Sequence, residues 1–124
     1  KNIWPNPVSV VLPCQDLEFK YLHRGKNSLA FRIPNNEMLL KILRHVGPMV
    51  APSANYEGEP PSESIEEAKR YFGERVDFFL DGGKISVQSS TVVKLDEEGR
   101  IKTLRQGGIE LMQNQGLPRA DQLV

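Results

Sequence analysis

The chain has 124 residues, 39% hydrophobic and 26% charged, which suits one ordinary domain with a modest core. Lysine plus arginine and aspartate plus glutamate both number 16, so the zero net charge gives no global attraction to nucleic acid or anionic membrane. The single cysteine, Cys14, excludes an internal disulfide and a cysteine-based metal cluster and fits a cytoplasmic setting, and no apolar run is long enough to span a bilayer.

The first predicted elements are two strands separated by turns. Trp4–Pro7 contains two prolines and is predicted to form a rigid turn. The β-branched residues of Val8–Leu12 predict a strand, which Pro13 closes. Residues 18–22 alternate charged and apolar side chains, which predicts a half-buried strand. The basic stretch 23–27 is then expected to be a solvated turn, with contact to a phosphate as the second interpretation.

Residues 28–34 are predicted to form a strand with two different faces, ended by Pro34. One face is apolar and is formed by Leu29, Phe31 and Ile33. The other face is small and polar and carries Ser28, Ala30 and Arg32. Arg32 is either an ordinary surface arginine or an arginine whose planar guanidinium group binds a carboxylate or phosphate through two parallel hydrogen bonds.

A helix is predicted from the asparagines at 35 and 36 to about His45. Either asparagine can cap the first turn, and Gly47 is a natural stop signal. Apolar residues at helical spacing predict a core-facing stripe of Leu39, Ile42, Leu43 and Val46. His45 lies among the cations of the last turn, which suit the helix dipole, so it is interpreted as a structural or surface residue.

The stretch Val50–Asn55 is predicted to be a buried strand that stops at a polar turn. Ser53 and Asn55 would present a hydroxyl and a carboxamide at the carboxyl end of that strand. Ligands of open α/β sheets bind at such ends, so these two side chains are candidates for ligand contacts. The alternative is a polar turn with no binding role.

The later part of the chain predicts one helix, one buried strand and a hairpin. Ser64–Glu67 matches a capping box, and the helix that it starts has a buried stripe and ends at Gly73. Val76–Leu80 is predicted to be a buried strand. Residues 87–95 and 100–104 are predicted to pair as a hairpin across a turn at 96–99. Arg105, next to Gln106 and two glycines, is compatible with close approach to a phosphate.

Several short motifs occur in an order and spacing that carry more information together than apart. They are Trp4-Pro5-Asn6-Pro7 with Val10-Val11-Leu12, Arg32-Ile33-Pro34, Ala51-Pro52-Ser53-Ala54-Asn55 with Gly58 and Pro60, Asp81-Gly82-Gly83, Ser90-Thr91-Val92-Val93 and Leu104-Arg105-Gln106-Gly107. Over about residues 3–108, this set resembles the YrdC-like family, the threonylcarbamoyl-AMP synthases.

The resemblance implies an α/β fold, with a twisted, mixed, open sheet, flanking helices and a large groove. It implies a partial YrdC-like domain over residues 1–112, followed by a polar tail over residues 113–124. The implied reaction condenses L-threonine, bicarbonate and ATP into threonylcarbamoyl-AMP and pyrophosphate. A partner complex would then transfer the threonylcarbamoyl group to tRNA, and no membrane is involved.

The family's binding residues map onto this chain by position. The residues that resemble threonine contacts are Arg32, Ser53 and Ser90. The residues that resemble ATP contacts are Ser28, Asn55 and Arg105. No catalytic nucleophile and no protein metal site is expected, because positioning and electrostatic stabilisation can carry this chemistry. Mg²⁺ is expected to arrive with ATP, held largely by phosphates and water.

The chain also departs from the family pattern. Glu63 stands where a threonine often meets ATP, and an acid there would repel phosphate unless it points away. The family's amino-terminal half, with its Lys-x-Arg phosphate-binding element, is not in this sequence, so the chain is expected to be the carboxyl-terminal part of the domain. Two alternatives stay open: a non-catalytic nucleotide- or RNA-binding module, and a domain of a hydrogenase-maturation carbamoyltransferase. The reading frame upstream of Lys1 would distinguish them.

Overall fold

The computed structural model describes residues 3–86 and 88–111. These residues fall into two compact units. The first, here called the sheet unit, contains residues up to Gly47 and from Gln88 onward; the second, the loop-helix unit, contains residues from Pro48 to Ser86. The predicted polar tail lies outside the described residues.

The sheet unit is built on four strands, β1 (Val8–Pro13), β2 (Ser28–Phe31), β3 (Thr91–Leu95) and β4 (Ile101–Arg105). Their order across the sheet is β2-β1-β3-β4. The central pair, β1 and β3, is parallel, and each edge strand is antiparallel to its neighbour. The carboxyl ends of β2 and β4 therefore lie at the same end of the sheet as the amino ends of β1 and β3. This confirms the mixed open sheet that the resemblance implied.

The core of the sheet unit lies on the central parallel pair. Val8, Val10 and Val93 are at most 2% exposed, as alternate residues of a strand that buries one face should be. Trp4 is also buried, and its indole Nε1 donates a 2.8 Å hydrogen bond to the carbonyl of Val8. The segment before β1 is thus fastened to the first residue of that strand.

Two strand predictions are confirmed, with one detail that the sequence did not predict. The hairpin forms across the turn at 96–99, and β1 forms as expected. Val92 lies opposite Arg105 whereas Val93 lies opposite Thr103, so the register shifts and Leu104 is the extra residue of a bulge. Because a bulge bends its strand and redirects side chains, it alters the direction of the end of β4.

The prediction of a strand over residues 18–22 is wrong. Leu17–Phe19 forms a 3₁₀ turn that continues into the short helix α1 (Lys20–His23). Asp16 starts this turn, because its carboxylate accepts a hydrogen bond from the backbone N–H of Glu18. The alternation of charged and apolar residues was compatible with a strand, but the local cap favours a turn of helix.

The two longer helices begin and end at their predicted signals. Helix α2 (Glu37–Val46) starts at Asn36, whose side chain accepts from the N–H of Leu39. Helix α3 (Ile65–Phe72) starts at Ser64, and a 3₁₀ turn (Gly73–Arg75) follows it. Neither helix contains a fully buried residue. The predicted core-facing stripe of α2 is wrong for Leu39 and Val46, which are 42% and 63% exposed.

Two buried strands predicted for the loop-helix unit do not form. The residues around Val50 and the segment 76–80 have no regular structure, and Val50 and Phe78 are 68% and 78% exposed. An apolar run becomes a strand only when a neighbouring strand pairs with its backbone, and none does so within the described part of the chain. Across residues 3–86 and 88–111, the helices are all too short or too polar to cross a membrane.

Candidate functional site

Arg32 and Ser90 meet at one end of the sheet. Arg32 follows the carboxyl end of β2, and Ser90 precedes the amino end of β3, so the mixed topology brings them to the same end. The guanidinium Nη1 of Arg32 donates a 2.7 Å hydrogen bond to the Ser90 hydroxyl. This contact joins residues that are 58 positions apart in the sequence.

Arg105 contacts the same serine from β4, the second strand of the hairpin. It is the last residue of β4, next to the bulge at Leu104. Its Nε and Nη2 atoms both donate to the carbonyl oxygen of Ser90, at 3.3 and 2.9 Å. Ser90 therefore accepts hydrogen bonds from two arginines, one at its hydroxyl and one at its carbonyl.

These two guanidinium groups lack a carboxylate partner in the part of the chain that the structure describes. The ion pairs found there involve Arg70 and Arg100, and neither Arg32 nor Arg105. Both side chains are exposed, and each has donors beyond those directed at Ser90. Two cations that share one neutral residue, with no carboxylate partner among the described residues, favour an anion as the ligand.

Ser28 starts β2, opposite Pro13 of β1. It is half-buried and lies four residues before Arg32, which corresponds to about 13 Å of extended chain. Within the described residues its hydroxyl makes no hydrogen bond to Arg32, Ser90 or Arg105. Its predicted contact with ATP stays a prediction.

Ser53 and Asn55 lie in the loop-helix unit. Ser53 is exposed, and its carbonyl accepts a 3.0 Å hydrogen bond from the N–H of Asn55. The Asn55 amide Nδ2 donates to the carbonyls of Tyr56 and Glu59, both at 2.8 Å, so this side chain holds a loop together. Its Oδ1 is buried and accepts no hydrogen bond from any residue that the structure describes. The polar turn is therefore a structured loop, and its predicted ligand contacts stay predictions.

An open cavity of about 540 Å³ lies beside this loop, within the loop-helix unit. It is lined by Pro60, Pro61, Glu63, Glu67, Arg70 and Tyr71. Glu63 Oε1 lies 3.5 Å from the hydroxyl of Ser86. Over residues 3–86 and 88–111, no three His, Cys, Asp or Glu side chains group closely enough to hold a metal ion.

Sequence reasoning placed Thr91 and Gly107 in short motifs but gave neither residue a role of its own; both form hydrogen bonds next to Ser90. Thr91 is fully buried, and its hydroxyl bonds to two backbone groups of the segment after β4. One signal was available: Thr91 is the polar member of an alternation with Val93, on the face of β3 that is buried. A hydroxyl at such a position requires hydrogen-bond partners.

Comparison with known proteins identifies the relatives of this chain. The sequence profile of the family Sua5/YciO/YrdC, described as telomere recombination, matches residues 1–107. A threonylcarbamoyl-AMP synthase of Pyrococcus abyssi is 33% identical over 113 residues, covering 90% of this chain and 33% of the relative. The Bacillus subtilis enzyme of the same name is 31% identical, covering 88% of this chain and 32% of the relative.

A solved structure agrees with these sequence relatives. The crystal structure of P. abyssi Sua5 complexed with L-threonine matches with a TM-score of 0.75 at 33% identity. The match covers 85% of this chain and 31% of that chain. The chain thus spans about a third of the length of these relatives.

Proposed function

Since the chain belongs to the Sua5/YciO/YrdC family, we propose that it supplies part of the substrate site of an L-threonylcarbamoyl-AMP synthase. The observation that carries the proposal is the pair of arginines on Ser90, which favours an anion at one end of the sheet. A relative of similar fold was crystallised with L-threonine, whose carboxylate is such an anion.

In this proposal Arg32 and Ser90 bind threonine. The exposed donors of Arg32 suit a carboxylate, and the Ser90 hydroxyl fixes the orientation of the guanidinium. Ser53 would contact the same substrate. Because these groups are neutral or cationic, the site would attract the carboxylate while leaving the amine free to react.

Arg105, Ser28 and Asn55 would bind ATP. Arg105 is held by its two bonds to the Ser90 carbonyl, so its guanidinium is already fixed before a phosphate arrives. Such fixed donors stabilise developing charge at little cost of reorganisation. Threonine and ATP would thus be bound by two arginines that hydrogen-bond to the same serine.

The proposed reaction has two steps. The threonine amine attacks bicarbonate and forms a carbamate with loss of water. A carbamate oxygen then attacks the α-phosphorus of ATP, the bond to the β-phosphate oxygen breaks, and pyrophosphate leaves. These steps require positioning and charge stabilisation rather than a protein nucleophile. Mg²⁺ enters the proposal as the ion that accompanies ATP, with phosphate oxygens and water as its ligands.

The downstream partners are also proposals. The mixed carbamoyl-phosphate anhydride is an activated acyl donor, so a second component must accept its threonylcarbamoyl group. We propose tRNA as the final acceptor and a threonylcarbamoyl-transfer complex as the catalyst of that step.

The proposal is tested by pyrophosphate release from ATP in the presence of L-threonine and bicarbonate, with the product of the complete reading frame. Release should require all three substrates, and mass spectrometry should detect threonylcarbamoyl-AMP. Pyrophosphate release that is independent of threonine, or no release at all, would contradict the proposal. L-Serine, which lacks the γ-methyl group of threonine, serves as the substrate control.

A further inference from the structure

Thr91 connects the start of β3 to the chain that follows β4. Its side chain is 0% exposed. The hydroxyl donates to the carbonyl of Ile109 at 2.5 Å and accepts from the N–H of Gly107 at 3.0 Å. In addition, its own backbone N–H donates to the carbonyl of Pro7 at 3.0 Å. A buried hydroxyl bonded on both sides fixes both partners, since either partner left alone would be an unpaired buried group.

Gly107 allows this connection because it has no side chain. A Cβ atom at this position would lie 2.0 Å from the carbonyl oxygen of Ser89 and 2.5 Å from the carbonyl carbon of Ser90. No side chain fits there without moving the backbone. The neighbouring Gly108 donates its N–H to the same Ser89 carbonyl at 3.1 Å. The segment Arg105–Ile109 therefore lies directly against the backbone of Ser89 and Ser90.

Four residues of this segment form hydrogen bonds to Ser90, whose hydroxyl holds Arg32, or to its two neighbours in the chain. Arg105 binds the carbonyl of Ser90, Gly107 and Ile109 bind the residue after it, and Gly108 binds the residue before it. Ser90 itself lies outside the regular strand, where its hydroxyl would otherwise move with a loop. These contacts hold the backbone on both sides of Ser90, and the Ser90 hydroxyl accepts a hydrogen bond from Arg32.

We propose that Thr91 and Gly107 are positioning residues, which fix the Ser90 hydroxyl and through it the Arg32 guanidinium in the orientation that binds threonine. The inference rests on the proposed function where it names threonine as the ligand. The effect of Thr91 and Gly107 on the orientation of the Arg32 guanidinium does not depend on which ligand binds. It assigns a role to two residues that touch no substrate.

The test compares three substitutions in the complete gene product. Thr91→Val removes the hydroxyl and keeps the shape, and Thr91→Ser keeps the hydroxyl. Thr103→Val is the matched control, because Thr103 lies opposite Val93 in the same hairpin and makes no side-chain hydrogen bond in the described part of the chain. The first readout is the ¹⁵N order parameter of the Arg32 Nε–H group, with exposed Arg44 as the mobile reference.

Thr91→Val should lower the order parameter of Arg32 toward that of Arg44 and accelerate hydrogen exchange at the Gly107 amide. It should also weaken threonine binding by about tenfold, as expected for one lost hydrogen bond of this kind. Thr91→Ser and Thr103→Val should behave like the wild type.

If Thr91→Val lowers the folded fraction, Arg105→Lys provides a second test. This variant loses the paired bonds to the Ser90 carbonyl and should also lower the order parameter of Arg32.

The inference is overturned if Gly107 exchange accelerates in Thr91→Val while the order parameter of Arg32 stays at its wild-type value. It is also overturned if Thr103→Val has the same effect as Thr91→Val. Failure of the proposed function is a separate result: the wild-type protein would then bind no threonine in calorimetry, whereas the order of Arg32 would still decide whether Thr91 positions it.

Discussion

Arg32 is the residue on which the threonine assignment depends most directly. We expect Arg32→Ala to raise the KM for threonine more than the KM for ATP, because one charged hydrogen-bonding group to a carboxylate is lost, at about 1.5–3 kcal/mol. Steady-state kinetics of the complete gene product, with each substrate varied, measures the two effects. Arg44→Ala removes the same charge from the exposed last turn of α2 and should change neither. An unchanged KM for threonine in Arg32→Ala would contradict the assignment of Arg32 as a threonine contact.

Asn55 has a structural role beside its proposed contact with nucleotide. Its amide donates to the carbonyls of both Tyr56 and Glu59, so the side chain holds this loop together. We expect Asn55→Ala to weaken nucleotide binding and to lower stability by about 1–2 kcal/mol through the loss of these two hydrogen bonds. Calorimetry with a non-hydrolysable ATP analogue and denaturant unfolding measure the two effects. Wild-type affinity together with reduced stability would leave Asn55 with the structural role alone.

The hairpin of β3 and β4 has a turn whose geometry depends on one ionised carboxylate. Asp96 Oδ1 accepts from the N–H groups of Arg100 and Glu98, and Oδ2 accepts from the Arg100 guanidinium at 2.8 Å. The hydrogen bond from the Arg100 backbone, followed by that from its side chain, lowers the pKa of Asp96 below its ordinary value of 3.8. The charged form is favoured in the folded state, so the stabilisation is complete above pH 3.8 and is lost as pH falls through the lower folded pKa.

Two measurements check this expectation. A ¹³C titration of the Asp96 carboxyl should give a pKa below 3.8, for the reason given above. Above pH 3.8 the wild type should unfold at a higher denaturant concentration than Asp96→Asn. This difference in unfolding midpoint should become smaller as pH falls below 3.8. A pKa at or above the ordinary aspartate value would contradict the geometry.

At the scale of elements, the elements predicted correctly have a local cause, although the local cap at Asp16 was missed. The helices at Asn36 and Ser64 begin at caps that lie within four residues of the groups they bind. The strand β1 and the hairpin were predicted from β-branched residues and a tight turn. Val76–Leu80 has the same apolar character but forms no strand, because a strand also needs a partner backbone, which no local pattern specifies.

The residues of the candidate site could be named from the sequence, but the hydrogen bonds between them could not. The small-residue face of 28–34 pointed to Arg32, and the glycines after position 106 pointed to Arg105. Both arginines bind Ser90 because the mixed topology brings the carboxyl ends of the edge strands to the same end of the sheet as the amino end of β3. Both arginines lie at or directly after the carboxyl ends of their strands, where the rule for open sheets expects ligand contacts, whereas Ser90 precedes the amino end of β3.

At the scale of the whole molecule, we expect the 124 residues alone to make no threonylcarbamoyl-AMP. ATP carries about four negative charges, and its transfer chemistry depends on cations that neutralise them. Of the arginines that meet at Ser90, one is assigned to threonine, which leaves Arg105 alone for the triphosphate. Mg²⁺ would offset only part of the remaining charge. The chain also spans only 33% of the length of its Pyrococcus relative, so two thirds of that enzyme has no counterpart among these residues.

The comparison that decides this prediction is pyrophosphate release by the 124-residue chain and by the product of the complete reading frame, at equal concentration and with all three substrates. Circular dichroism of the short chain provides the control for folding, because an unfolded chain would be inactive for a different reason. If the short chain is folded and inactive, threonine calorimetry should still detect weak binding, since Arg32 and Ser90 meet within it. Robust turnover by the 124 residues would show instead that Arg32, Ser90 and Arg105, with Mg²⁺, are enough to neutralise the triphosphate.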